Sequence, residues 1–369
     1  MGTIERRASG AHAATSYASW GQEDESGEGP VVRFGVIGYG YWGPQLVRNF
    51  ARLRAGHVVG VADLSPERRR AARYDFPSIM IADSVDDLFA HDIDAIVVAT
   101  PIRTHYQLAK QALERGKHVF VEKPLADNSD RALELTRMAD ELGLTLMVGH
   151  TFLYNPAVEE LRRLLQSGEL GRVYYANAAR TNLGLFQPDI NVIWDLAPHD
   201  ISILNYVFGS SPLRLSAHGS AFVRPGVQDV AHITLQYPGD VLAHVHVSWL
   251  SPSKERHFTV VGDQRMVVYD DVAATEKIRI FDRGVDAPNH TSTFGEFQLS
   301  YRYGEIKSPH INWAEPLAVE CHHFGEAILE GTRPKSDGRN GLQVVRALEA
   351  ADASLAADGA YIDVPRDED

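Results

Sequence analysis

From Val31 to His150, short apolar runs alternate with stretches of helical spacing. The runs fall near 32–37, 57–63, 79–82, 94–99, 117–121 and 144–149 and read as strands. Between 129 and 142, Leu135, Met138, Ala139 and Leu142 recur at i, i+3, i+4 and i+7, and Gly143 stands where a left-handed cap ends a helix. Strand and helix in regular alternation predict a doubly wound parallel sheet, covered on both faces, with ligands bound beyond the carboxyl ends of its strands.

After His150 the pattern changes. One helix, about 156–166, precedes β-rich runs at 172–181, 212–223, 229–237, 241–250, 256–270, 277–282 and 297–306. Turn signals such as Tyr237-Pro238-Gly239-Asp240 and Val261-Gly262-Asp263 predict a mainly antiparallel sheet. Helices are expected near 198–208, 314–330 and 340–357, and 284–296 reads as a loop over or beside the site. The chain therefore divides into a disordered tail (1–30), a nucleotide-type α/β domain (31–150) and a second, mainly antiparallel domain (151–369) whose last segment is expected to pack back on the first.

Residues Gly38 to Gly43 read G-Y-G-Y-W-G between a strand and the helix-like Pro44 to Leu53. Gly38 allows a tight turn, Gly40 lets backbone approach a pyrophosphate, and Gly43 lets helix pack on strand. Asp63 ends the next apolar run, where a carboxylate accepts hydrogen bonds from the adenosine ribose and repels a 2′-phosphate. NAD is therefore expected in preference to NADP. Tyr39, Tyr41 and Trp42 decorate the turn and pack either on the dinucleotide or on protein.

Composition narrows the partners. The net charge of −13 argues against nucleic-acid or anionic-membrane binding. No apolar run is long enough to span a bilayer, and the first thirty residues lack a secretory h-region. The single cysteine, Cys321, excludes an internal disulfide and fits a reducing, cytoplasmic compartment.

Two further turns sharpen the picture. The fourth run ends Ala99, Thr100, Pro101, followed by His105, and the fifth ends Glu122, Lys123, Pro124. With the glycine turn, in this order, they resemble the glucose-fructose oxidoreductase, inositol dehydrogenase and MocA (Gfo/Idh/MocA) family over about 31–365. The resemblance implies a Rossmann domain joined to an α/β domain with an open sheet that often forms an oligomer interface, here of a dimer or tetramer. It also implies a cis bond before Pro124. Thr100, Pro101, Glu122 and Lys123 are expected to border the cofactor; His105 is either a cap or structural residue or a contact of cofactor or substrate, and Glu122 shapes the turn.

Trp194-Asp195-Leu196-Ala197-Pro198-His199-Asp200 matches the D-x-x-x-H pattern that many family members carry at the catalytic centre. Spacing i, i+4 brings Asp195 and His199 together on a helix, although Pro198 places the helix start near itself, with Asp195 at its entry. Oxidising a secondary alcohol with a nicotinamide needs a hydride acceptor, a base and a group to stabilise the alkoxide. His199 is assigned as general acid/base, Asp195 as the carboxylate that orients it or binds a substrate hydroxyl, and Lys123 as the cation at the reacting oxygen. Lys123 is the alternative base.

Substrate contacts are expected from His150, Tyr154 and Asn155, and from Arg180 and Asn182 in the segment R-T-N-L-G-L-F-Q-P-D-I-N, with Arg180 suited to a phosphate or carboxylate. These segments resemble a branch of nucleotide-sugar 3-dehydrogenases, which implies a nucleotide-linked hexose as substrate. The rival readings are an NAD-dependent glycosidase using transient 3-oxidation, an inositol or free-sugar dehydrogenase, and a non-catalytic NAD/sugar-binding regulator. His244 and His246 are expected to share a strand face with His232 nearby, but no carboxylate or cysteine accompanies them at ligand spacing, so no metal is expected.

Overall fold

The computed structural model describes residues 30–184, 186–187, 190–286 and 300–366. The expected tail (1–29) and most of the expected loop (287–296) lie outside them, whereas 284–286 belong to a strand.

Six parallel strands form the first sheet: β1 (Val32–Ile37), β2 (Gly56–Ala62), β3 (Met80–Ala82), β4 (Ala95–Val98), β5 (His118–Glu122) and β6 (Leu146–Gly149), in the order β3-β2-β1-β4-β5-β6. Helices α1 (Gly43–Phe50), α2 (Pro66–Asp75), α3 (Val85–Phe89), α4 (Ile102–Glu114) and α5 (Ser129–Leu142) connect them. The chain reverses direction across the sheet between β1 and β4, so their carboxyl ends flank a crevice. In α5 the Asn128 side chain accepts from Arg131 N at 2.9 Å, and Gly143 ends the helix at φ +65°. Its buried face is Ala132, Leu135, Thr136 and Ala139; Leu142, expected inside, is exposed beside the cap, where the stripe has rotated away from the sheet.

A turn of 3₁₀ helix (Thr151–Tyr154) leads through α6 (Pro156–Gln166) into the second sheet. That sheet comprises β7 (Val173–Leu183), β8 (Arg214–Ser220), β9 (Val230–Tyr237), β10 (Val241–Ser248), β11 (Leu250–Gly262), β12 (Met266–Asp270), β13 (Ile278–Asp286), β14 (Ser300–Lys307) and β15 (Ile362–Asp363). Their order is β14-β13-β12-β11-β7-β10-β9-β8-β15, antiparallel except for the pair β7 and β10. One face is apolar: Ala176 and Ala178, Ala243, Val245 and Val247, and Phe258 and Val260 are buried, and α7 (Val192–Phe208) and α9 (Gly338–Ala356) cover it. Helix α8 (Pro316–Glu330) returns to the first sheet, where Phe324 packs against Phe34, Phe50 and Phe120. Helix α9 also packs on α5 and β6.

Helix α7 starts six residues before the expected position, at Val192 rather than Pro198. Asn191 caps it through Ile193 N (3.1 Å) and Trp194 N (3.2 Å), while Asn191 Nδ2 and Trp194 Nε1 both donate to Asp352 on α9 (2.9 and 2.6 Å). A proline in a helix interior costs ~3 kcal/mol, and these contacts offset it by fixing the first turn from outside. As a result Asp195 lies within the helix, one turn before His199.

Candidate active site

The glycine turn follows β1 directly. Gly38 has φ +99°, and a Cβ there would lie 2.5 Å from the Ala99 carbonyl oxygen; a Cβ on Gly43 would overlap the Gly38 carbonyl. Gly40 differs, because a Cβ there would meet only the Arg68 guanidinium at 3.6 Å. No neighbouring backbone requires glycine at 40, so the open space above it is where a ligand can approach. Helix α1 begins without a side-chain cap and without acidic residues in its first turn, leaving its amide N–H groups for an anion.

The Asp63 carboxylate braces this turn, accepting from Tyr39 N (2.7 Å) and Ser65 N (2.8 Å), with Arg68 Nη1 3.8 Å away. Gly38, Asp63, Arg68, Thr100, Pro101 and Thr104 line a cleft of about 320 Å³ at the carboxyl ends of β1, β2 and β4. The cradle, the uncapped helix and the carboxylate fit an NAD pyrophosphate and ribose. The three aromatic residues separate. Tyr39 is buried in the core and donates from its hydroxyl to Asp75 (2.8 Å), whereas Tyr41 and Trp42 are exposed and meet edge to face at 5.5 Å. Tyr39 therefore contributes its backbone rather than its ring.

His105 is also structural. Its buried ring contacts the Pro124 carbonyl oxygen through Nδ1 (2.8 Å) and the Thr100 carbonyl oxygen through Nε2 (2.7 Å), tying the A-T-P turn to the E-K-P turn. That spends both nitrogens on backbone and removes the expected cofactor contact. The Lys123-Pro124 bond is cis. Beyond it, Lys123 Nζ donates to the Asp195 carbonyl oxygen at 2.7 Å and lies 3.5 Å from Asp195 Oδ1. Trp249 Nε1 donates to the other carboxylate oxygen of Asp195 at 2.9 Å.

His199 lies one helical turn on, its ring edge to face with Phe152 at 5.1 Å. Its Nδ1 is buried and has no partner among the described residues, so Asp195 holds Lys123 and Trp249 instead of orienting the imidazole. Burial, then the charge of Lys123, then those of Arg180, His150 and Arg256, push the His199 pKa well below its ordinary value. The ring is a neutral proton acceptor at neutral pH.

Beneath Lys123 lie two buried carboxyl groups, Glu122 of the E-K-P turn and Glu320. Glu122 is pushed up to about 7 by burial, opposed by Lys123, and burial with Glu122 nearby raises Glu320 on α8 well above the carboxylate range. Glu320 accepts from Thr151 Oγ1 at 2.7 Å, and its Oε1 has no partner among the described residues.

Of the expected substrate contacts, Tyr154, Asn155 and Arg180 are committed to partners within the fold. His150 is fully buried with neither ring nitrogen partnered among the described residues, and burial and Lys123 push its pKa down to about 3. Tyr154 is sealed by the 3₁₀ turn, its hydroxyl 2.9 Å from Ser336 Oγ. Asn155 caps α6 through Ala157 N (2.9 Å) and donates to Tyr269 Oη (2.9 Å). Arg180 forms a bidentate buried pair with Asp200 (3.0 and 2.9 Å), which leaves it no fork for a substrate anion. Asn182, two residues along β7, is half-buried on the same side.

A second arginine beside the Phe152 ring was not identified from sequence. Arg256 is the register partner of Arg180 and lies 5.7 Å from the Phe152 ring. The available signal was its phase: it alternates with Phe258 and Val260, so a cation occupies the apolar face of its strand. On the opposite face, the His232 and His246 rings stack at 4.2 Å. No group of three or more His, Cys, Asp or Glu among the described residues is placed to hold a metal, and no described helix is long and apolar enough to cross a membrane.

This fold and site define an oxidoreductase with an NAD-binding Rossmann domain. Residues 32–150 match the family model "Oxidoreductase family, NAD-binding Rossmann fold", and 158–268 match the GFO/IDH/MocA C-terminal domain, so the chain belongs to the Gfo/Idh/MocA family. It is 30% identical over 256 residues to UDP-N-acetylglucosamine 3-dehydrogenase of Acidithiobacillus ferrooxidans, covering 69% of this chain and 78% of that one. A solved structure of that enzyme superposes with TM-score 0.75 at 27% identity, covering 88% of this chain and 97% of that one. An uncharacterized oxidoreductase of Bacillus subtilis, YrbE, is 26% identical over 338 residues, 87% of this chain and 94% of that one. The WlbA dehydrogenase of Bordetella pertussis, solved with NADH and UDP-GlcNAcA, shares the fold at TM-score 0.73 and 21% identity, covering 91% of this chain and all of that one.

Proposed function

We propose that this oxidoreductase converts a secondary hydroxyl of a nucleotide-linked hexose, at C-3, to a ketone, or catalyses the reverse, with residues 31–150 holding the cofactor and 151–369 the sugar. The observation that carries the reading is the bond from Lys123 Nζ, past the E-K-P turn, to the Asp195 carbonyl oxygen one helical turn before His199. NAD, when bound, supplies the hydride acceptor. His199 takes the hydroxyl proton, and the Lys123 ammonium stabilises charge developing on the same oxygen. Asp195 and Trp249 keep the ammonium from swinging away. Neutral His199 takes the base role more readily than Lys123, which is engaged with Asp195. The relationship to the Acidithiobacillus enzyme favours C-3 and a nucleotide sugar.

Incubation of the pure protein with NAD and a panel of nucleotide sugars, free sugars and inositols tests this. NADH formation with a nucleotide sugar and a 3-keto product supports it; strict preference for inositols or unactivated sugars removes the nucleotide part. Release of aglycone without net NADH would instead indicate a glycosidase.

The reading includes a cytoplasmic homo-oligomer joined through the outer face of the second sheet. Leu242, Tyr175, Val261, Met266, Phe281 and Ile306 are register partners across adjacent strands there, forming an apolar row that a second copy would cover. Sedimentation of wild type against Tyr175→Glu checks it.

A further inference from the structure

Arg180 and Arg256 are paired across β7 and β11 on the face that α7 covers. Like charges directly opposite each other destabilise a sheet, so each needs a counter-charge. Arg180 obtains a complete one: both Asp200 oxygens accept from it, and the two side chains are only 5% and 3% exposed.

Arg256 obtains only part of one. Its Nη1 lies 3.2 Å from Asp271 Oδ2, while Asp271 Oδ1 is already taken by Tyr269 Oη (2.9 Å) and Asn155 Nδ2 (3.3 Å). The Nε and Nη2 groups of Arg256 have no partner among the described residues, and its side chain is 34% exposed. Phe152 stands between the arginines, with the Arg180 guanidinium 4.3 Å and the Arg256 guanidinium 5.7 Å from its ring, and the same ring meets His199. Arg256 is thus a cation with unused donors, held by a committed carboxylate and set beside the ring that packs on His199.

We infer that Arg256 is the residue that selects the substrate's charge: it binds an anionic group, phosphate or carboxylate, carried by the sugar whose hydroxyl reacts at His199. The inference rests on the sugar-oxidoreductase reading above and adds the place of the anion. A neutral sugar leaves the Arg256 donors to water, whereas an anion accepts two of them in one plane.

The experiment compares wild type, Arg256→Gln and Arg256→Lys on UDP-N-acetylglucosamine, methyl glucuronide and the neutral methyl N-acetylglucosaminide, all with saturating NAD. For the anionic arm that Arg256 serves, Arg256→Gln is expected to raise KM by about 10- to 100-fold with kcat changed less than about threefold. Arg256→Lys falls between, and the neutral arm does not move. Whichever anionic arm responds identifies phosphate or carboxylate. Calorimetry of UDP or glucuronate binding to the NADH-loaded protein gives a second readout, with the same variant weakening one of them. Equal KM changes on neutral and anionic arms, or a wild type indifferent to charge, overturn the inference. Failure of NAD-loaded wild type to oxidise any of the three, while UDP or glucuronate still binds through Arg256, overturns the reading of the reaction and leaves the anion site standing.

Discussion

Arg180 and Arg256 occupy equivalent places on adjacent strands and differ in how completely the surrounding fold satisfies them. Arg180 is sealed against Asp200, while Arg256 shares its carboxylate with Tyr269 and Asn155 and keeps donors without a partner among the described residues. The difference shows that residue type does not decide which cation serves a ligand; the partners left after folding do. The same division separates Tyr39, whose hydroxyl donates to Asp75, from the exposed Tyr41 and Trp42.

The largest effect that would break the comparison lies at the sealed pair. Arg180→Ala leaves Asp200 buried and uncompensated, so a loss of ~3–5 kcal/mol is expected in denaturant unfolding. The double variant Arg180→Leu/Asp200→Leu should recover most of it, because it removes both charges together. If Arg180→Ala costs no more than Arg256→Ala, the distinction between sealed and accessible arginine fails.

The histidines sharpen it next, through pH. The folded-state pKa of His150 lies near 3, below the unfolded value, so the unfolded chain binds more protons as acid is added. The stability that His150 confers is full above its unfolded pKa and drains away as pH falls toward 3. His150→Gln should flatten the acid limb of a stability–pH curve by up to ~1.4 kcal/mol per pH unit. Glu122 acts in the opposite sense: its folded pKa of about 7 is raised, so its contribution is present below the unfolded carboxylate pKa and lost as pH rises through 7. Glu122→Gln should therefore make the protein relatively more stable at alkaline pH, and unchanged curves for both variants would contradict the burial argument.

The smallest expected effects fall on the accessible members. Arg256→Ala should cost ~1 kcal/mol or less, since a partly exposed pair contributes little. Tyr41→Ala should leave stability within ~0.5 kcal/mol, while Tyr39→Phe, which strands Asp75, costs about 1 kcal/mol. Thermal melts of the three, side by side, check this order.

Much of the cofactor end was legible in the chain because each of its parts is local. Gly38 to Gly43, Asp63, Thr100 and Lys123 each end a strand of one parallel sheet, and the topology brings strand ends together. The substrate side depends on pairings that no short segment encodes. The opposition of Arg180 and Arg256 comes from the register of β7 with β11, and the engagement of Asp195 with Lys123 and Trp249 comes from three separate elements. Asn155 and Tyr154 resembled ligand contacts because polar groups near a predicted cleft are also what a buried turn needs for its own hydrogen bonds. Pro198 misplaced the start of α7 because the contacts of Asn191 and Trp194 with Asp352 are invisible to local propensity.

The central claim is that Lys123 and His199 act on one hydroxyl beside the bound cofactor. The most direct test measures NADH formation from UDP-N-acetylglucosamine by wild type, Lys123→Ala and His199→Ala, with NAD affinity determined for each. The account predicts a fall of at least ~10²-fold in kcat for either variant while cofactor binding stays within a few-fold. Near-normal turnover in both variants, with NAD still bound, would contradict it.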